Sequence, residues 1–231
     1  MVLGIFAAPA TEARAAAKAT VTKAVHIELD YGDDFAIEVE FAEKGDQIKN
    51  LKTSSKNIIA KVTNKYLSYQ YGSKKNTANI GLFAKKEGTY TVSFDIVNAD
   101  GKKVSSHSVK VYANEERAIK SVKFAGPQDF SGVTSKTKGK LSVMMNKGYK
   151  LNKIVVQTYD KDGQRKSETV KNNSTITLGK YPRIYGWKKE PCYYYNWGTS
   201  ITAETDIEIF YTDKYTKSEE SITYVMHRLA P

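Results

Sequence analysis

The stretch EGTYTVSFDIVNADGKKVSSHSVKVYA, residues 87–113, contains two runs of alternating apolar and polar residues with a turn signal between them. In the first run, every second residue from Tyr90 to Ile96 is apolar, which is the period of a strand with one buried face. Asp100-Gly101 separates the runs, and glycine takes the positive φ that a tight hairpin turn requires. The stretch therefore predicts an antiparallel β-hairpin.

Alternating runs and turn signals of the same kind recur along the chain. FAIEVEF, residues 35–41, alternates in the same way, and IVVQTYDKDGQRKSETV, residues 154–170, forms a second candidate hairpin around Asp162-Gly163. Beyond residues 1–19, no stretch shows the 3.6-residue apolar period of a helix over three turns. The fold class is therefore predicted to be all-β.

The length and one charged link indicate two domains. With 231 residues, the chain exceeds the commonest domain size of about 100–150 residues. Residues 114–117, NEER, form a short charged link between two predicted strands, and domain boundaries fall in exposed links of this kind. We predict one β-sandwich over residues 20–113 and a second over residues 118–231. The last stretch, SITYVMHRL, residues 221–229, should be a strand that closes a sheet.

The residues around the first hairpin resemble the end of a bacterial immunoglobulin-like (Ig-like) domain. In that comparison, Gly88-x-Tyr90-x-Val92 opens the penultimate strand, and the Asp-Gly turn leads into the last strand. The resemblance implies that the Tyr90 hydroxyl ties a corner of the sandwich to the backbone, as a tyrosine at this position does in Ig domains.

The second half is similar to divergent repeat modules of Gram-positive secreted proteins. The similarity is carried by NKGYKLNKIVV, residues 146–156, and ITAETDIEIFYTDK, residues 201–214. It implies that Gly148-Tyr149 precedes an exposed strand and that the module ends on a strand in which apolar and polar residues alternate. Together, the two resemblances imply two tandem Ig-like antiparallel β-sandwich domains that serve as spacers, adhesins or carbohydrate binders.

The N-terminal stretch MVLGIFAAPATEARAAAKA, residues 1–19, resembles the end of a secretory signal peptide or leader. An apolar run is followed by small residues that suit cleavage, although no positively charged region precedes the run. No later stretch approaches the roughly 20 apolar residues of a membrane-spanning helix. The single cysteine, Cys192, excludes an internal disulfide. We therefore expect a secreted or cell-surface protein without a membrane span.

The net charge of +11 is distributed unevenly. Residues 28–46 carry eight acidic residues and one lysine, whereas residues 120–189 carry sixteen basic and four acidic residues. A basic tract of this size attracts polyanions, so anionic cell-wall polymers and acidic polysaccharides are candidate partners. The export signal argues against nucleic acid. Alternatively, the lysines keep solvent-facing strands soluble and protect sheet edges.

Residues 181–198, YPRIYGWKKEPCYYYNWG, contain both tryptophans and five of the sixteen tyrosines. Pro182 and Pro191 remove backbone donors, so we expect a long loop or an irregular edge. The tyrosines at 193–195 cannot all enter one core if they are extended, because successive side chains point to opposite faces. Aromatic faces with interleaved positive charges suit sugar rings and acidic glycans. The candidate ligand-binding residues are Arg183, Tyr185, Trp187, Lys188, Lys189, Tyr194 and Trp197.

No residue pattern indicates a catalytic centre or a cofactor. The three histidines lie in or next to predicted strands, none beside a Gly-x-Ser-x-Gly turn, and Cys192 has no neighbouring histidine. Zinc ligands at usable spacing are missing, and Asp160-x-Asp162-Gly163 lacks the further ligands of a calcium loop. Neither a metal nor another cofactor is expected.

The leading interpretation is a non-catalytic secreted or cell-surface module for binding or adhesion, with a glycan or an anionic cell-wall polymer as its ligand. If the aromatic rings instead pad the core, the protein is a structural spacer or assembly module. A small secreted glycan hydrolase is a third interpretation, since that reaction needs only two carboxylates across a cleft. Exposure of Trp187 and Trp197 separates the first two interpretations, and facing acids would indicate the third.

Overall fold

The computed structural model divides the chain into two compact units, Met1–Glu115 (unit 1) and Glu116–Pro231 (unit 2). The division lies within the charged link at 114–117. The structure describes residues 18–70, 73–126, 132–187, 196–199 and 201–229. Side chains are described for these ranges except 64–70, 73–75, 185–187, 196–199 and 229. The leader expected over residues 1–19 therefore lies outside the described residues, apart from its last two positions.

The described residues of unit 1 contain eight strands. One sheet has the order β1-β3-β6-β5 and the other the order β2-β8-β7-β4. Paired strands are antiparallel, except that β2 runs parallel to β8. The strands are β1 (Thr20–Val21), β2 (Ala24–Ile27), β3 (Asp33–Glu40), β4 (Gln47–Thr53), β5 (Ile58–Gln70), β6 (Ser73–Ala84), β7 (Gly88–Val97) and β8 (Lys103–Ala113).

The strand order of unit 1 is that of an Ig domain. Ig domains of the constant type hold strands A, B, E and D in one sheet and strands C, F and G in the other. If β3 to β8 are lettered B to G and the first strand is split into β1 and β2, both sheets are reproduced. The predicted Ig-like sandwich is confirmed for unit 1.

The apolar residues that alternate along these strands form the core between the two sheets. Ile37 and Val39 of β3, Ile80 of β6, and Val92 and Ile96 of β7 belong to one cluster and are fully buried. The polar residues between them lie on the outer faces of the sheets. The alternation in the sequence therefore predicted the buried faces of β3 and β7 correctly.

Tyr90 ties the start of β7 to the preceding turn. The residue is only 8% exposed, and its hydroxyl donates to the backbone oxygen of Lys86 at 2.8 Å. This is the tyrosine corner that Ig-like domains carry near the start of strand F. The role that the sequence resemblance implied for Tyr90 is confirmed.

Replacing Tyr90 by phenylalanine is expected to lower the free energy of unfolding by about 1 kcal/mol, because the corner hydrogen bond is lost while the ring stays in place. The same change at Tyr31, which is 66% exposed, should have no measurable effect. Urea denaturation followed by circular dichroism measures both variants. Equal stability of the Tyr90 variant and the wild-type protein would show that the corner bond does not stabilise unit 1.

The described residues of unit 2 contain ten strands. The smaller sheet has the order β14-β11-β9, the larger sheet has the order β10-β18-β17-β12-β13, and β15 pairs with β16. The strands are β9 (Ile119–Phe124), β10 (Val133–Thr134), β11 (Lys138–Met145), β12 (Lys150–Tyr159), β13 (Arg165–Val170), β14 (Thr175–Thr177), β15 (Ile184–Trp187), β16 (Asn196–Thr199), β17 (Thr202–Thr212) and β18 (Glu219–Leu229).

Unit 2 is also a sandwich, with one strand placed differently. Its core lies between the smaller and the larger sheet and includes Leu141, Ile154, Ile207 and Ile209, all fully buried. In unit 1, β5, the strand lettered D, pairs with β6 at the edge of the sheet of β1, β3 and β6. In unit 2 the corresponding strand, β13, joins the larger sheet beside β12. The predicted all-β sandwich fold is therefore found in both units.

The two Asp-Gly hairpins and the closing strand are found where the sequence predicted them. Gly101 and Gly163 have φ values of 79° and 75°, which tight turns between paired strands require. β18 pairs with β17 over the full length of both strands. The described residues include no helix with the length and hydropathy that crossing a membrane requires.

One expectation for unit 2 is wrong. The strand after Gly148-Tyr149 is β12, and it is an interior strand between β17 and β13 rather than an exposed one. Tyr149 itself is only 7% exposed. β12 pairs with β13 on one side and with β17 on the other, and Ile154 and Val156 bury its apolar face in the core. Which strands pair on either side depends on the tertiary fold and is not marked by the residues of the strand itself.

Candidate functional site

Four of the seven candidate ligand-binding residues lie in the described part of the chain. Arg183 directly precedes β15, and its side chain is exposed. Tyr185 and Trp187 belong to β15, and Trp197 belongs to β16. The three remaining candidates lie outside the described residues: Lys188, Lys189 and Tyr194.

Both described ends of the aromatic stretch are strands. β15 and β16 form a two-stranded antiparallel sheet, which we call the aromatic hairpin. Pro182 lies before β15, where its missing backbone donor interrupts no ladder. The expectation of a long loop or an irregular edge is therefore wrong for residues 184–187 and 196–199.

The register of the aromatic hairpin assigns its two tryptophan positions to opposite faces. Trp187 pairs with Asn196, whereas Trp197 pairs with Gly186. Partners across an antiparallel pair share a face, and neighbours along a strand alternate between faces. Positions 185 and 187 therefore share one face, and position 197 belongs to the other face together with Ile184. The candidate residues do not all share one face of the hairpin.

Ile184 shows which face of the aromatic hairpin is turned towards the larger sheet. Gly163 lies in the turn between β12 and β13, and a Cβ atom built on it would lie 3.0 Å from Cβ and 3.1 Å from Cδ1 of Ile184. Ile184 thus packs directly against this turn. Position 197 shares the face of Ile184, and positions 185 and 187 belong to the face away from the turn.

A buried glycine anchors the segment that leads to the aromatic hairpin. The Gly179 N–H donates to Oγ1 of Thr205 at 2.8 Å, and its carbonyl oxygen accepts two bonds from the Arg228 guanidinium at 2.7 and 3.1 Å. A Cβ atom on Gly179 would lie 2.7 Å from the backbone oxygen of Glu204. The segment from Gly179 to Arg183 therefore starts tightly against β17 and β18.

Three acidic residues alternate along β17 on the outer face of the larger sheet. Glu204, Asp206 and Glu208 occupy the positions between its core-facing residues, and we call them the carboxylate row. On the neighbouring strand β12, Nε2 of Gln157 donates to Glu208 at 3.1 Å. The Tyr159 hydroxyl donates to Asp206 at 3.4 Å. Gln157 and Tyr159 are buried, although they lie on the outer face of the sheet.

Arg183 connects this face to the aromatic hairpin. Its guanidinium carbon lies 5.5 Å from the centroid of the Tyr159 ring, in cation–π range. Burial raises the pKa of the Tyr159 hydroxyl, and the charge of Asp206 acts in the same direction, whereas Arg183 and Arg165 act to lower it. The hydroxyl is therefore protonated at neutral pH and remains a hydrogen-bond donor.

The outer face of the larger sheet places two carboxylates next to the aromatic hairpin. The half-buried carboxylates of Asp206 and Glu208 can accept hydrogen bonds from the hydroxyl groups of a sugar, whereas Glu204, Gln157 and Tyr159 are buried. Glycoside hydrolysis places two carboxyl groups on either side of the bond to be cleaved. The carboxylate row lies along one strand and on one face, so it does not provide that geometry.

The candidate residues predicted from the sequence do not include Gln157, Tyr159 or the carboxylate row. The acidic residues at every second position of ITAETDIEIFYTDK, residues 201–214, were an available signal, because they mark one polar face of a strand. Nothing local indicates that Gln157 and Tyr159 lie beside them. Only the antiparallel pairing of β12 with β17, which puts Gln157 opposite Asp206, brings them together.

Unit 1 contains a serine–histidine contact that the sequence did not indicate. Oγ of Ser105 lies 2.8 Å from Nε2 of His107, whose ring stacks on Phe94 at 5.5 Å between centroids. Burial lowers the pKa of His107. Among the side chains that the structure describes, no carboxylate bonds to this ring, so the orienting acid of a catalytic triad is missing there.

The described residues provide no metal site. No group of three or more His, Cys, Asp or Glu side chains in the described ranges is arranged to hold a metal ion. The carboxylate of Asp160, in the calcium-like fragment, instead accepts the backbone N–H groups of Asp162 and Gln164 at 3.0 and 2.9 Å. It shapes the turn that Ile184 packs against.

No protein-family model and no curated protein matches this chain. Solved structures with a similar backbone include the fibronectin(III)-like modules of Clostridium thermocellum CbhA. They have 12% identity over 92% of this chain and 94% of that chain, with a TM-score of 0.32. The YadV chaperone has 8% identity over 91% of this chain and 100% of that chain, with a TM-score of 0.34. Yersinia pseudotuberculosis InvD has 17% identity over 92% of this chain and 69% of that chain, with a TM-score of 0.25. Likenesses this distant do not indicate what the chain binds.

Proposed function

We propose that this chain is a non-catalytic binding module that acts outside the cell and binds a glycan through the aromatic hairpin and the adjoining outer face of the larger sheet. The observation that carries the proposal is the register of the hairpin. Ile184 packs against the β12–β13 turn, and positions 185 and 187 belong to the opposite face of the hairpin, which we assign to the ligand.

Tyr185 and Trp187 are the residues that we assign to stacking on a sugar ring. They are two positions apart on one strand, so their positions lie about 7 Å apart on the same face. Trp197 belongs to the face next to the body of unit 2, and we assign it a structural role. This divides the original candidates into two groups with different expected behaviour.

The charges around the hairpin favour an uncharged glycan over an anionic polymer at this site. Arg183 and the lysines at 188 and 189 add positive charge, but the carboxylate row lies on the face that Arg183 adjoins. Carboxylates repel a polyanion and accept hydrogen bonds from neutral sugar hydroxyls. The buried Gln157 amide and Tyr159 hydroxyl donate to Glu208 and Asp206 and so help to hold these two carboxylates in place.

The proposed location outside the cell rests on the leader-like residues 1–19 and on the resemblance of the second half to modules of Gram-positive secreted proteins. Adhesion to a glycan-coated surface would follow from a binding face on a rigid β-sandwich. A spacer without any ligand is the competing function, and the experiment below separates the two.

Replacing Trp187 by alanine is expected to weaken glycan binding at least about tenfold, which corresponds to about 1.4 kcal/mol of lost contact. Thermal stability should be nearly unchanged, because the position belongs to the face away from Ile184. Replacing Trp197 by alanine should instead lower the unfolding temperature of unit 2 by several degrees, because position 197 belongs to the face of the hairpin on which Ile184 packs against the β12–β13 turn. A glycan array, calorimetric titration of the strongest neutral hit and thermal unfolding measure these effects.

Two outcomes contradict the proposal. One is a Trp187→Ala variant that binds as the wild-type protein does. The other is a Trp187→Ala variant that unfolds as readily as Trp197→Ala while the array shows no tryptophan-dependent hit. The second result would support the spacer function.

A further inference from the structure

The smaller sheet of unit 2 has an outer face on which all charged side chains are lysines. Val122 pairs with Val143 on the core-facing side of β9 and β11, so the alternate positions lie outside. On that outside, Lys123 pairs with Ser142. Two further lysines of β11 face β14: Lys138 opposite Thr177 and Lys140 opposite Thr175. We call Lys123, Lys138 and Lys140 the lysine face.

The three lysines are close together and open to solvent. Lys138 and Lys140 are two residues apart on one strand, or about 7 Å. Lys123 pairs with Ser142 on the neighbouring strand, so it is the diagonal neighbour of Lys140, about 7–8 Å away. Lys138, Lys140, Thr175 and Thr177 are exposed, and Lys123 is half-buried. The ammonium group of Lys136, which bonds to the backbone oxygen of Ala125 at 3.0 Å, adds a fourth positive charge at the border.

The three strands that carry the lysine face contain no acid to compensate its charge. β9, β11 and β14 include no Asp or Glu at any position. In the described part of the chain, none of the three lysines forms an ion pair. The outer face of the larger sheet differs, because there Lys153 and Arg165 share the surface with the carboxylate row. A face that merely kept the unit soluble would not need this separation of charge.

We propose that the lysine face binds a linear anionic polysaccharide. An extended polymer fits a flat sheet face, its acidic groups pair with the closely spaced ammonium groups, and its hydroxyls bond to the exposed threonines. Single-stranded nucleic acid fits less well, because such sites add aromatic side chains on which bases stack, and the outer positions of these strands carry none. This site is separate from the aromatic hairpin and does not depend on it.

The test compares two triple variants that remove the same charge. Lys123, Lys138 and Lys140 are changed to glutamine in one, and the exposed Lys147, Lys150 and Lys161 in the other. Heparin is the probe, titrated into the full chain at low ionic strength and again with added salt. The lysine-face variant should bind at least about tenfold more weakly than the control variant, and wild-type affinity should fall as salt is added. Circular dichroism checks that both variants fold.

Three results would overturn the proposal. The first is the absence of heparin binding by the wild-type chain at low salt. The second is an equal loss in both variants, which would mean that only net charge matters. The third is tighter binding of an oligothymidylate than of heparin, lost in the lysine-face variant. A Trp187→Ala variant should keep its heparin affinity, so this test and that of the proposed function can fail separately.

Discussion

Replacing Ile207 by alanine is expected to lower the free energy of unfolding of unit 2 by about 2–5 kcal/mol. Ile207 is fully buried near the middle of β17, where it lies between Val156 of β12 and Tyr224 of β18. The truncation removes apolar contacts and leaves a cavity that the two flanking strands cannot close. Because domains are stable by only about 5–15 kcal/mol, this loss would take a large part of the stability of unit 2.

Denaturation followed by tryptophan fluorescence measures this effect directly, since both tryptophans belong to unit 2. The matched control is Ile222→Ala, which removes the same atoms from β18 at a residue that is 38% exposed. We expect the control to cost less than about 1 kcal/mol. Equal losses at Ile207 and Ile222 would show that the core is not centred on β17.

Replacing Gly179 by alanine is expected to destabilise unit 2 by about 1–3 kcal/mol and to weaken glycan binding with it. The new Cβ would lie 2.7 Å from the backbone oxygen of Glu204 and 3.3 Å from Oγ1 of Thr205. Both atoms belong to β17, an interior strand that is paired on each side. The clash must therefore be relieved by moving the segment that carries Arg183 and the aromatic hairpin.

The control for this change is Gly126→Ala. A Cβ at Gly126 would meet no atom within 4 Å, and the residue is exposed. Alanine at such a position leaves stability within about 0.5 kcal/mol or raises it slightly, because the unfolded chain loses freedom. Thermal unfolding and calorimetric titration of the neutral glycan compare the two variants. If Gly179→Ala behaves like Gly126→Ala, the segment does not pack on β17.

Most of the fold could be predicted because its signals are local. Alternation of apolar residues identified the buried faces of β3 and β7, since side chains in a strand have a period of two. Asp-Gly dipeptides located two hairpins, since only a residue that tolerates positive φ completes such turns. The Tyr90 corner followed from a resemblance that depends on a few residues close in sequence. The interior position of β12 was missed because it depends on which strands pair on either side.

The candidate site was predicted less completely, because its residues are distant in sequence. The aromatic stretch was identified by composition, but composition says nothing about register, and a shift of one residue exchanges the two faces of a strand. The pairing of Trp187 with Asn196 and of Trp197 with Gly186 separates positions that looked equivalent. The carboxylate row reaches Gln157 and Tyr159 only through the pairing of β12 with β17.

The sequence by itself determined the strand class, the hairpin turns, the tyrosine corner and the excess of lysines in the second half, because each depends on residue type and on spacing over a few residues. The tertiary structure alone decided which residues share a surface. Lys123 and Lys140 are separated by 17 positions, and Tyr159 and Asp206 by 47, yet each pair meets on one outer face. The physical reason is that burial of the apolar faces of the strands sets the register of each sheet. The register then fixes which polar residues lie next to each other on the opposite, outer face.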